Sequence, residues 1–453
     1  MNAPWSTIPD LVDDAALRFG DREAIVDGDL RWTFAEYRDQ IHAASRALMA
    51  RGIGAGDRIA VWAPNVAEWA VAALGAHCAG AVLVPINTRF RGREAAELLD
   101  RTLARVLFTV TDFLDADYVA MLADVGGGTG LDEVVVLRGS VPDRCTSWAD
   151  FLEAGDTVDD GNRATRSAAV GGDDLCHLMF TSGTTGSPKG AMLRHSAICR
   201  AFLAWSEVIG LEAGDRYLVV NPFFHAFGLN SGILACLMKG VTLVPHPVFD
   251  VPAVMRRVGE ERITMLPGPP AIYQTILNHP DLDEFDLSSL RLAVTGAATI
   301  PVQMIHAMRD RLGFEKVVTG YGLTEASGIA TMCRHDDDPA LIAGTSGRAI
   351  DDVEVRVVTP DGAECPAGQP GEVVVRGYNV MVGYLDDPDQ TAEAIDAEGW
   401  LHTGDIGVMD ADGYLDITDR VKDMFINGGF NVYPAEVERL MLAHPEVGQV
   451  AVV

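Results

Sequence analysis

Thr181-Ser182-Gly183-Thr184-Thr185-Gly186-Ser187-Pro188-Lys189-Gly190 lies between the apolar stretch Leu175 to Phe180 and a shorter one, Ala191 to Leu193. Its glycines let backbone N–H groups converge on an anion, its hydroxyls add donors of adjustable direction, and Lys189 adds a charge. A loop that needed only flexibility would have no use for Pro188-Lys189. Spacing excludes a Walker A loop, which has its lysine directly after the last glycine and a helix next. Here Ser187 and Pro188 intervene, and Ala191 to Leu193 reads as a strand. The stretch is therefore a phosphate-holding loop carried in a hairpin.

Upstream of it, helical and strand patterns alternate. Arg22 to Asp27 and Leu30 to Thr33 form a hairpin around Asp27-Gly28-Asp29. Phe34 to Met49 is an amphipathic helix ending at Gly52. The apolar run Ala70 to Ile86, broken by Gly75, His77 and Gly80, falls short of the ~20 residues of a membrane span. It reads as a helix (Val66 to Ala76) and a buried strand (Ala81 to Pro85). Strands recur at Arg58 to Trp62, Val106 to Val110 and Glu133 to Leu137, which implies an α/β layer with a parallel-rich sheet. Asp156 to Asp174 is polar, without periodicity, and reads as a connector. Beyond Gly344 short strands dominate: Val353 to Val358, Gly371 to Gly377, Gly404 to Asp410 and Gly413 to Thr418. The expected organisation is an α/β subdomain at 1–165 and a second at 166–343 with the phosphate loop. A small β-barrel-like subdomain at 344–418 follows, then a hinge at 419–423 and the start of a small α+β domain at 424–453.

The chain of 453 residues is 48% hydrophobic, which excludes intrinsic disorder, and its formal charge is −30. Such a balance disfavours nucleic acid and anionic membranes. Only Lys189, Lys239, Lys316 and Lys422 are lysines, so each is informative. The seven cysteines are scattered, with no C-x-x-C pair, and no apolar leader opens the chain. A reduced cytoplasmic protein is expected.

The loop resembles the phosphate-binding signature of the adenylate-forming superfamily: acyl- and aryl-CoA synthetases, luciferase-like enzymes and peptide-synthetase adenylation domains. The resemblance recurs in the family's order. Ala79 to Asn87 is similar to an early structural motif. Pro222-Phe223-Phe224-His225-Ala226-Phe227-Gly228 resembles the acyl-site motif, and Tyr321-Gly322-Leu323-Thr324-Glu325 the magnesium and adenine motif. His402-Thr403-Gly404-Asp405 resembles the ribose motif, and Asp419-Arg420-Val421-Lys422-Asp423 the hinge.

The resemblance implies ATP, magnesium and CoA as cofactors, a carboxylic acid as substrate, and leaves a homodimer open. ATP would be held by Thr181 to Lys189, Gly296-Ala297-Ala298, Tyr321, Gly322, Thr324, Asp405 and Arg420. Tyr321 offers a flat face to adenine, Thr324 a hydroxyl to the α-phosphate, and Glu325 a hard oxygen to the metal. Asp405 has acceptors for both ribose hydroxyls. The acyl pocket would include His225, Phe227, Gly228, Asn230, Ser231 and Gly320. His225 is open between donating to the reacting oxygen and shaping the wall. Asn230 and Ser231, in an otherwise apolar helix, are open between satisfied helix polars and substrate contacts. No carboxylate occurs from Phe223 to Gly228, which argues against an α-amino acid substrate. Lys422 is the expected pivot.

A carboxylate attacking the α-phosphorus of ATP brings two anions together. At about 4 Å and an effective dielectric near 20, each pair repels by roughly 4 kcal/mol. Local cations must offset this, and Lys189, Arg420 and a Glu325-held magnesium are the candidates. The family's late lysine has no counterpart after Lys422, so adenylation by this chain is expected to be impaired. The expected activity is an AMP-forming carboxylic acid–CoA ligase acting on a bulky hydrophobic acid, fatty or steroid-derived. The alternatives are an acyl-AMP ligase that loads a carrier protein and a non-catalytic nucleotide-binding protein.

Overall fold

The computed structural model describes residues 3–181, 188–296 and 300–420, two short strands at Phe425–Asn427 and Phe430–Val432, and three isolated positions (441, 447 and 450). Lys422 and most of 424–453 lie outside the described residues.

Val106–Val110 is buried at every position, as expected of a parallel strand covered on both faces. It belongs to an eight-stranded sheet in which Val82–Pro85, Arg58–Trp62, Val106–Val110 and Glu133–Arg138 run parallel. Leu175–Thr181 joins beside Val82–Pro85, also parallel, and then turns back as Lys189–Arg194. The quoted loop thus closes an antiparallel hairpin. The last strand on that side, Gly383–Tyr384, comes from far downstream and pairs with Lys189–Arg194.

The N-terminal hairpin forms as expected, Glu23–Asp27 against Leu30–Thr33, but its neighbour is unexpected: Ile25 pairs in parallel with Leu243. That second sheet continues through Arg216–Val219, and bridges at Met265 connect it to Leu292–Gly296 and Lys316–Tyr321. Each α/β sheet therefore takes strands from both sides of residue 165. The third sheet is antiparallel, with Val353–Val358, Pro370–Gly377, Leu401–Met409 and Leu415–Arg420 in that order. Its last strand runs two residues past the expected end at Thr418 and pairs Arg420 with Asp405.

One local reading needs correction. Asp160–Ala168, inside the supposed connector, is a helix capped by Asp159, whose side chain accepts from the Asn162 N–H. It docks through polar atoms, Ser167 Oγ donating to the Cys78 carbonyl at 2.8 Å and the Arg166 guanidinium to the Ile53 carbonyl at 3.2 Å, so no apolar periodicity announced it. Asn230 and Ser231 lie in a helix as expected, and that helix is a π-helical turn, Leu229–Leu234. Such turns widen the helix and are frequent at functional sites.

Beneath the hairpin sits a cluster of three buried imidazoles. His77 ends the helix Ala67–Cys78, His177 lies on Leu175–Thr181, and His195 begins the helix His195–Ile209. The His77 ring centroid is 5.0 Å from that of His177 and 5.6 Å from that of His195. His195 Nδ1 accepts from the Ile8 N–H at 3.2 Å, and His77 Nε2 donates to the Cys176 carbonyl at 3.2 Å. Neither ring nitrogen of His177 has a hydrogen-bond partner among the described residues. Burial pushes His77 and His195 down to about 3, and His177 well below its ordinary value. All three are neutral at pH 7. Among the described residues no helix is long and apolar enough to cross a membrane.

Candidate active site

Strand Leu175–Thr181 delivers Thr181 to the edge of the site, where its hydroxyl donates to Glu325 Oε1 at 3.3 Å. The Tyr384 phenol donates to the same oxygen at 2.9 Å. Burial first, then the charge of Glu325, pushes the Tyr384 phenol far above its ordinary pKa, so it stays protonated and donates. Glu325 lies in the short 3₁₀ turn Thr324–Ala326, and its carbonyl accepts from the Met381 N–H at 2.8 Å. The turn is built by close backbone approach: a Cβ on Gly322 would sit 2.4 Å from the Gly328 carbonyl oxygen.

Lys189 opens the return strand. Its ammonium donates to Gln390 Oε1 and lies 5.0 Å from the Tyr384 ring centroid. Among the described residues it forms no ion pair with a carboxylate, in a chain with 65 acidic residues. That leaves its charge available to an anion. Arg101 donates to the Pro188 carbonyl at 2.7 Å and so pins the loop's exit.

Gly296 and Gly320 pair in register on parallel strands, and a Cβ on Gly296 would lie 2.8 Å from the Gly320 carbonyl oxygen. Next to them, the Tyr321 phenol donates to Asp405 Oδ2 at 2.5 Å. Two motifs far apart in sequence thus meet in one contact. Asp405 is buried on the strand Leu401–Met409, not on an exposed loop. Ser182 to Ser187, Ala297 and Ala298 lie outside the described residues, and Arg420 is described only in its backbone.

On the acyl side, Asn65 holds the Pro222–Gly228 segment. Its side-chain oxygen accepts from the Phe223 N–H at 2.8 Å, and its amide donates to the carbonyls of Val219 and Asn221. A Cβ on Gly228 would lie 2.0 Å from the Pro222 carbonyl oxygen, so only glycine fits. His225 Nδ1 accepts from the Phe227 N–H at 3.2 Å, which puts the ring proton on Nε2. His225 keeps exposed surface, yet protein atoms crowd the ring and lower its pKa. Phe227 meets Trp205 edge-on at 6.5 Å. Ser231 is satisfied, donating to the Phe227 carbonyl. Asn230 is fully buried, and neither of its amide atoms has a hydrogen-bond partner among the described residues.

The family model for AMP-binding enzymes matches residues 12–385. The chain belongs to the AMP-binding enzyme family. Among relatives of this AMP-binding enzyme is the 3-[(3aS,4S,7aS)-7a-methyl-1,5-dioxo-octahydro-1H-inden-4-yl]propanoyl:CoA ligase of Rhodococcus jostii. The two are 48% identical over 99% of this chain and 86% of the relative. A ligase of the same description from Mycobacterium tuberculosis is 47% identical over 99% of this chain and 85% of the relative. In fold, the chain is similar to the anthranilate CoA ligase AuaEII, whose crystal structure holds anthranoyl-AMP. That match has a TM-score of 0.90 at 26% identity and covers 99% of this chain and 84% of that one. Family and relatives together make this enzyme an AMP-forming acid–thiol ligase, in agreement with the resemblance in its motifs.

Four contributors were missed in the sequence: Asn65, Arg101, Tyr384 and Gln390. Each acts from outside the recognisable motifs. The one available signal was Lys189 itself, one of four lysines in an acidic chain, whose charge needed neutral neighbours.

Proposed function

We propose that this enzyme joins CoA to a ketone-bearing bicyclic propanoic acid through its acyl-adenylate. The observation that carries this is near-full-length similarity, at close to half identity, to two ligases described for such an acid. Buried Asn230 supports it: an unpartnered amide costs roughly 1–3 kcal/mol, which a substrate carbonyl accepting from Nδ2 would offset. A plain fatty chain offers no such acceptor.

In this reading Lys189 faces the phosphates, Tyr321 and Asp405 hold the nucleoside, and His225 presents Nε2–H to the substrate carboxylate. Glu325 fits magnesium as a single-carboxylate ligand. Its Oε1 is taken by two hydroxyls while Oε2 has no partner among the described residues, which also contain no larger metal-holding cluster. Magnesium commonly binds through one carboxylate plus substrate phosphates and water. Bound there, it would supply charge neutralisation between the phosphates. Lys189 orients the phosphate chain, the Thr181 proton being given to Glu325, and His225, neutral, adds no charge to trap the incoming acid.

The test is CoA-dependent AMP formation by the full-length protein across a set of acids. The bicyclic dioxo-propanoate is expected to give the highest kcat/KM, above palmitate, ferulate and anthranilate. Faster turnover of any of those three would overturn the assignment.

A second expectation concerns Asp405. It is buried against Tyr321, so Asp405→Asn is a cleaner test than alanine. Removing a charge-assisted acceptor for the ribose should weaken ATP binding roughly 10- to 100-fold, with the thermal midpoint little changed. Equal ATP affinity by calorimetry would remove Asp405 from the nucleotide site.

A further inference from the structure

The segment Asn379–Gln390 connects the two charged ends of the site. Val382 and Leu385 donate backbone N–H groups to Met192 and Gly190, which adds this segment as a strand to the one that begins at Lys189. At its start, Asn379 Nδ2 donates to the Ile329 carbonyl at 2.8 Å, and Ser327 Oγ donates to the Asn379 carbonyl at 2.7 Å, clamping the turn that bears Glu325. At its end, the helix Pro388–Ala394 presents Gln390 to Lys189, and Thr391 Oγ1 accepts from the Tyr384 N–H at 2.9 Å. Tyr384 stands at the centre. Its hydroxyl reaches Glu325, its ring face underlies Lys189, and its backbone is fixed on both sides.

We infer that Tyr384 is a positioning residue that sets the carboxylate for the metal and the ammonium for the phosphates, through two separable parts of one side chain. The inference rests on the proposed roles of Glu325 and Lys189. The phenol O–H, donating to Oε1, fixes the carboxylate's rotation and leaves Oε2 for a hard cation. The ring holds the Lys189 ammonium over its negative face without neutralising it, as a carboxylate partner would.

The two parts come apart in two variants. Tyr384→Phe keeps the ring and loses the hydroxyl, whereas Tyr384→Leu loses both. Binding is read without turnover, in full-length protein: Mn²⁺ in the presence of ATP by electron paramagnetic resonance, and metal-free ATP in EDTA by calorimetry. Tyr384→Phe is expected to weaken Mn²⁺ binding about tenfold and leave metal-free ATP binding unchanged. Tyr384→Leu should weaken both. The thermal midpoint and far-ultraviolet circular dichroism of both variants should stay close to wild type, which shows that they fold. Wild-type Mn²⁺ affinity in Tyr384→Phe, or metal-free ATP affinity lowered equally in the two variants, would overturn the inference. A wild-type protein that binds no Mn²⁺ with ATP would overturn the underlying reading of Glu325, and this inference with it.

Discussion

Lys189→Ala is expected to lower acid-dependent ATP–pyrophosphate exchange by the full-length protein about 100- to 1,000-fold, the cost of removing a preorganised charge aimed at a developing anion. The size follows from how the lysine is kept. Its described partners are a neutral amide and an aromatic face, so nothing spends its charge before the nucleotide arrives. Glu325→Gln should impair the same half-reaction, since a neutral amide is a poor ligand for a hard cation. Thioester formation from supplied acyl-AMP transfers no phosphoryl group and should fall far less in both variants. Unchanged exchange in both would remove these residues from the adenylation site.

The second large effect is on stability in mild acid. An unfolded chain's histidines take up protons near pH 6.5, but His77 and His195 in the fold do so only near 3, and His177 also well below the ordinary value. The unfolded state therefore binds more protons throughout that interval. The stability at stake is whole above pH 6.5 and is lost progressively as pH falls towards 3. Each ring contributes up to about 1.4 kcal/mol per pH unit. Urea unfolding at pH 7, 6 and 5 should show the midpoint falling steeply below 6. His177→Phe, which removes one titrating ring and keeps a planar aromatic side chain, should make that fall shallower. An identical slope in variant and wild type would exclude the cluster as its cause.

The chemistry of this site was legible where a residue type is dictated by its ligand. Glycines and hydroxyls around an anion, a lysine beside them and the Tyr321–Glu325 run need no tertiary context to stand out. The contacts that make them work were not legible. Tyr384 lies on a two-residue strand with no periodicity, and its partners are Glu325 and Lys189, both remote in sequence. Asp160–Ala168 buries polar side chains and so carries no apolar signature. The N-terminal hairpin was evident from its turn, but its neighbour was not, because many buried strands offer the same apolar edge as Thr242–Pro245.

That neighbour matters during synthesis. The strand around Ala24, Ile25 and Val26 is buried in the finished fold, but its parallel partner at Leu243 leaves the ribosome much later. At about 5–20 residues per second, the interval is roughly 10–45 s. Throughout that time the nascent chain carries an apolar strand with one open edge, a template for pairing with another copy. Polysomes, where many such chains emerge side by side, are the setting in which this topology depends most on a chaperone covering the first thirty residues.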